Sequence, residues 1–124
     1  TVLTSFGEED MRAMGMTQSI EDLVHFRAKR ALDLGCDGVV SSGMEAPRLR
    51  ESLDNKLLIV TPGIRPGANI DTMQADDQKR IVTAKQAISG GADHVVVGRP
   101  ISKAEDPLAV VAELQDEILT ATGE

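Results

Sequence analysis

Two arginines stand where their side chains could grip a phosphate. Arg65 lies in the run Leu58-Ile59-Val60-Thr61-Pro62-Gly63-Ile64-Arg65-Pro66, and Arg99 in Val95-Val96-Val97-Gly98-Arg99-Pro100-Ile101. Each comes after an apolar run that stops at a glycine. A guanidinium is a planar, permanently charged fork that matches phosphate oxygens. Glycine lets the backbone approach a ligand closely. On neighbouring strand ends, two such arginines outline a phosphate-binding site. The competing reading is a pair of surface arginines that bond to loop carboxylates. Ser41 and Ser42 end another apolar run and read chiefly as strand-end residues. His25 and His94 read as structural, and Cys36, which precedes a strand, as a small buried residue rather than a nucleophile. Two separated histidines and one cysteine do not make a metal site. The acidic runs Glu8-Glu9-Asp10 and Asp76-Asp77 read as solvated charge, with Asp76-Asp77 placed to orient Arg80.

Positioning these residues requires a particular kind of sheet. Apolar runs without alternation are what strands covered on both faces look like, as in a parallel sheet flanked by helices. The pattern strand, loop, helix recurs four times. Strands are predicted over residues 2–5, 37–42, 56–61 and 93–97. Helices are predicted over 19–34, capped by Ser19 and ended by Gly35, and over 45–53, with Pro47 in the first turn. Two more run from the Thr83 cap to about 89 and from the Asp106-Pro107 pair onward. The segment 63–77 is too long for an ordinary connection and is a candidate functional loop. Leu34-Gly35-Cys36-Asp37-Gly38-Val39-Val40 and Gly90-Gly91-Ala92-Asp93-His94-Val95-Val96 repeat one phrase, in which glycine ends a helix and aspartate enters a strand. Four parallel βα units are half of an eight-stranded (β/α)8 barrel, so the fold class is α/β and residues 1–124 form one partial domain. Such a half leaves sheet edges and an inner face uncovered. A partner is therefore expected, either the rest of the barrel or a second copy.

Bulk properties narrow the function classes. The chain has 124 residues, 41% hydrophobic and 27% charged, and only 2% aromatic. Its core is therefore built from Ile, Val, Leu, Ala and Met. A formal net charge of −7 argues against nucleic acid or an anionic membrane as the main partner, while leaving room for an anionic ligand held by local arginines. A lone cysteine fits a reducing cytoplasm. No apolar stretch approaches membrane-spanning length. The start, Thr1-Val2-Leu3-Thr4-Ser5, reads as the beginning of a fragment or processed piece.

The segments Leu3-Thr4-Ser5, Asp37-Gly38-Val39-Val40-Ser41, Val60-Thr61-Pro62-Gly63-Ile64-Arg65, Asp77-Gln78-Lys79-Arg80 and Val97-Gly98-Arg99-Pro100-Ile101 together resemble bacterial orotidine 5'-phosphate decarboxylases. Their order and spacing match across nearly the whole chain, against the last four βα units of that family's TIM barrel. The resemblance implies conversion of orotidine 5'-phosphate to UMP and CO2 without metal or organic cofactor. It implies that Arg65, Gln78, Gly98 and Arg99 hold the phosphate, and that Thr4 lies against the pyrimidine. It implies homodimers with active sites at the subunit interface.

The family's catalytic Lys-Asp-Lys set and further Asp belong to the first half of its barrel. No Asp-x-Lys-x-x-Asp pattern occurs here. Lys103 alone among the lysines comes after a strand on the catalytic side. This segment is thus expected to carry no catalytic residue, and to bind without decarboxylating. Two alternatives stay open: a related sugar-phosphate decarboxylase or epimerase barrel, and a phosphate-binding half-barrel module without chemistry.

Overall fold

Side chains that accept the N–H groups left unpaired at a helix start fix three of the helices. Ser19 Oγ accepts from Asp22 N at 3.1 Å, Thr83 Oγ1 from Gln86 N at 3.0 Å and Asp106 Oδ1 from Ala109 N at 3.1 Å. Gln86 reciprocates, its Oε1 accepting from Thr83 N at 2.9 Å. The computed structural model describes residues 1–67 and 79–123. Its elements run α1 (Glu8–Ala13), α2 (Ile20–Asp33), β1 (Gly38–Val40), α3 (Ala46–Leu53), β2 (Leu58–Thr61), α4 (Ala84–Ser89), β3 (His94–Val95), α5 (Arg99–Ser102) and α6 (Pro107–Thr122).

Among the described residues the sheet has three parallel strands in the order β1-β2-β3. Val40 pairs with Val60, and Val60 with His94. Helices pack on one face, around a core that includes Val24, Ala28, Leu49, Ile59, Ala87 and Leu114. The apolar runs alternate in burial although not in composition. Ile59 and Thr61 are buried, whereas Val40 is 54% exposed, Leu58 49% and Val96 52%. Successive side chains leave opposite faces of a strand. One face of this sheet is therefore covered and the other is open and apolar.

Residues 2–5, expected as a strand, form no ladder, so three of the four expected strands are seen. The backbone acceptors of this segment are engaged elsewhere. Arg80 Nη2 donates to Val2 O at 3.0 Å and Leu3 O at 2.9 Å, and Lys79 N to Thr4 O at 2.9 Å. Thr1 still lies along the edge of β1, its N-terminal nitrogen donating to Val40 O at 2.6 Å. Helix α1 was not expected from its polar residues. Met11 supplies its buried contact, and Asp10 Oδ2 accepts from Gly7 N at 2.6 Å to hold its first turn. Cys36 is exposed rather than buried, because it lies in the turn between α2 and β1 with its N–H on Ala31 O.

The second copy of the repeated phrase forms a clip at the N-terminal ends of the strands. Gly91 has φ +109, and a Cβ there would stand 3.2 Å from Arg50 Cβ. Through that gap the Arg50 guanidinium donates to Gly91 O, Asp54 O and Leu57 O and, at 2.7 Å, to Asp93 Oδ2. Asp93 Oδ2 also accepts from Ile59 N at 2.8 Å. One arginine on α3 thereby ties the starts of β2 and β3 together.

Candidate functional site

The site is built from the turns at the C-terminal ends of the strands. After β2 the chain turns at Gly63, whose φ of +72 favours glycine. A Cβ there would meet Arg80 O and Thr4 Cγ2, each at 3.1 Å. Ile64 then bridges Val82 in parallel, with Val82 N donating to Gly63 O at 3.2 Å and Arg65 N to Val82 O at 3.0 Å. The side chain of Arg65 is buried, and its Nη1 donates to Ile64 O at 2.8 Å. Arg65 is thus not a surface arginine.

After β3, Gly98 is exposed with open space above its Cα, and half-buried Arg99 opens α5. Thr61 pairs with Val95 across β2 and β3. Arg65 and Arg99 each lie four positions beyond that matched pair, on adjacent strand ends. Thr4 is buried, and its carbonyl accepts from both Lys79 N and Arg80 N. The structure therefore brings Thr4 to Gly63 and Arg80, and places Arg65 and Arg99 at equal steps past neighbouring strands. Gln78, with Asp76, Asp77 and most of the long segment, lies outside the described residues.

Sequence reasoning missed a buried ion pair. Arg80 Nη1 stands 2.8 Å from Glu45 Oε1, with side chains 9% and 5% exposed. The contact is at ion-pair distance without hydrogen-bond alignment, and Glu45 Oε2 has no hydrogen-bond partner among the described residues. Arg80 was expected to be oriented by Asp76-Asp77, and Glu45 served only as a helix start. Their thirty-five-residue separation left no local signal.

Beside this pair, Lys79 Nζ donates to Asp10 Oδ2 at 2.8 Å. That bond, and after it the one from Gly7 N, holds the Asp10 carboxyl below its usual range, and the same bond raises Lys79. A cleft of about 520 Å³ opens here, lined by Arg12, Glu21, Glu45, Lys79 and Arg80 among others; neither Arg65 nor Arg99 lines it.

The remaining candidates differ in how near they lie to this region, and Ser42 O accepts from Glu45 N of the ion pair at 3.2 Å. Ser41 and Ser42 are buried at the end of β1, where Ser42 Oγ accepts from Met44 N at 3.1 Å and braces the turn. His25 is half-buried on α2, and His94 is exposed in β3. Lys103 is exposed at the end of α5. No group of three His, Cys, Asp or Glu among the described residues is placed to hold a metal ion. No described helix is long and apolar enough to cross a membrane.

Residues 1–114 match a model of the "Orotidine 5'-phosphate decarboxylase / HUMPS family". The orotidine 5'-phosphate decarboxylase of Methylococcus capsulatus is 50% identical over 118 residues, covering 95% of this chain and 48% of that protein. That of Nitrobacter winogradskyi is 48% identical over 121 residues, covering 98% and 49%. The crystal structure of the Lactobacillus acidophilus enzyme of the same name superimposes with a TM-score of 0.72 at 34% identity, over 95% of this chain and 46% of that one. The chain spans about half the length of the curated relatives it matches.

Proposed function

The chain belongs to the orotidine 5'-phosphate decarboxylase / HUMPS family, and from that premise we propose that it is the C-terminal half of a decarboxylase barrel that converts orotidine 5'-phosphate to UMP and CO2. Residues 1–124 are one partial domain on this reading. The observation that carries it is the matched placement of Arg65 and Arg99 beyond the paired ends of β2 and β3. The loops after the last two strands of such barrels commonly form the phosphate site. Arg65, Gln78, Gly98 and Arg99 grip the 5'-phosphate, and Thr4, packed against Gly63, faces the pyrimidine.

Decarboxylation breaks the bond between the ring carbon and its carboxylate. CO2 departs, the electron pair stays on the ring carbon, and a proton replaces the lost group. The half described here holds the remote phosphate, and that binding energy organises the reacting ring. The Lys/Asp array that stabilises and protonates the carbanion is assigned to the other half-barrel, in keeping with the lack of an Asp-x-Lys-x-x-Asp pattern in this chain. Among the described lysines, Lys29 and Lys79 are engaged with Asp33 and Asp10. The lack of that pattern, rather than these surface pairs, favours a second reading for the chain by itself, a phosphate-binding module without chemistry. Completed, the barrel forms a homodimer in the cytoplasm, as the family resemblance and the lone Cys36 suggest.

Turnover of orotidine 5'-phosphate, measured on the chain alone and with the first half of the Methylococcus capsulatus relative supplied, tests this. We expect none from the chain alone and turnover from the pair. Arg99→Ala then raises KM by about tenfold or more, as expected for a charged hydrogen bond to phosphate. A folded, assembled pair without activity, or unchanged kinetics in Arg99→Ala, would overturn the assignment.

A further inference from the structure

We propose that Arg80 is a positioning residue that fixes Thr4 against the Gly63–Arg65 turn, with Glu45 holding its guanidinium in place. The inference rests on the decarboxylase reading, in which Thr4 faces the pyrimidine and Arg65 the phosphate.

Residues 79–82 act as a splint between two segments far apart in sequence. On one side, Lys79 N and Arg80 N both reach Thr4 O, at 2.9 and 3.2 Å, and Arg80 Nη2 takes the carbonyls of Val2 and Leu3. On the other side, Val82 accepts from Arg65 N and donates to Gly63 O. The splint leaves no room at the junction, where a Cβ on Gly63 would touch both Arg80 O and Thr4 Cγ2. Residues 2–4 have no ladder partner among the described strands, and this arginine joins the Thr1–Val40 and Lys79–Thr4 bonds in placing them. A guanidinium suits the task, since its fork can serve two carbonyls and a carboxylate at once. Glu45 faces the fork from the N-cap of α3, and burial makes the pair sensitive to loss of either partner. Among the strand-end contacts of this half, the Arg50 clip lies at the face associated with stability and Arg80 at the face associated with the ligand. Arg80 thereby sets the distance between the ends of the nucleotide.

Calorimetric binding of UMP and of ribose 5-phosphate to the chain assembled with the first half of the Methylococcus capsulatus relative tests this. Arg80→Lys keeps a cation facing Glu45 while losing the fork. We expect its UMP affinity to fall about tenfold, the scale of one lost charge-assisted bond. Ribose 5-phosphate affinity stays within about twofold. Thr4→Val gives the same selective loss, and the double variant loses no more than either. If Arg80→Lys does not fold, Glu45→Gln carries the same test, with the same selective loss expected at smaller size. Parallel loss of both ligands, no change in either, or full additivity with Thr4→Val overturns the positioning role. A wild-type pair that binds ribose 5-phosphate but prefers UMP by nothing overturns it too, while leaving the phosphate site in place. A folded, assembled wild-type pair that binds neither overturns the decarboxylase reading and this inference with it.

Discussion

Asp10 accepts bonds from Lys79 Nζ and Gly7 N, and its carboxyl is held below the usual 3.8. A depressed carboxylate contributes stability that is present above 3.8 and is lost as pH falls through its folded value. The raised lysine contributes stability below 10.5 that is lost as pH rises through its own folded value. Asp10→Asn should therefore flatten the fall in melting temperature below pH 3.8, and the difference from wild type should shrink in high salt, since both side chains are half exposed. An identical acid limb in the two proteins would show that the contact does not couple α1 to residue 79. Arg65 and Arg99 were legible at this scale because each sits in a short motif that names its own place, just past an apolar run and a glycine. Glu45 and Arg80 were not, because a contact between distant residues leaves no spacing to read.

Helices were easier to read than strands, for a physical reason. Ser19, Thr83 and Asp106 act within their own first turn, so their caps are local events that the sequence states directly. Helix α1 offers only Met11 as an inward apolar residue, too little for a periodic stripe. A strand is completed by its neighbour, and residues 2–5 form no ladder among the described strands, the carbonyls of Val2 and Leu3 accepting from Arg80 instead. The clip on α3 gives this scale its prediction. Arg50→Ala removes a part-buried guanidinium from three carbonyls and from Asp93, and should cost about 2 to 4 kcal/mol. Urea titration checks it: the midpoint should fall while the slope stays constant. An unmoved midpoint would mean that β2 and β3 start together without it.

For the molecule as a whole, the half-barrel and its uncovered inner face were legible from the fourfold βα pattern, but the burial pattern of that face was not. Val40, Leu58 and Val96 belong to runs that look two-sided in sequence, yet each is about half exposed. Apolar surface of this kind is a docking face or a route to association. The chain alone should therefore self-associate with rising concentration in sedimentation, and more so in salt, which screens the net charge of −7. A salt-insensitive, cooperatively unfolding monomer would sink that expectation.

The Arg50–Asp93 clip and the Arg65–Arg99 pair sit at opposite ends of the same two strands. Changes at one end reach the other through the length of the sheet or along α3, which carries Arg50 and has Glu45 at its N-cap. A lineage carrying this half could drift in what it recognises while its framework stays under separate selection, an arrangement that makes new specificities accessible in single steps.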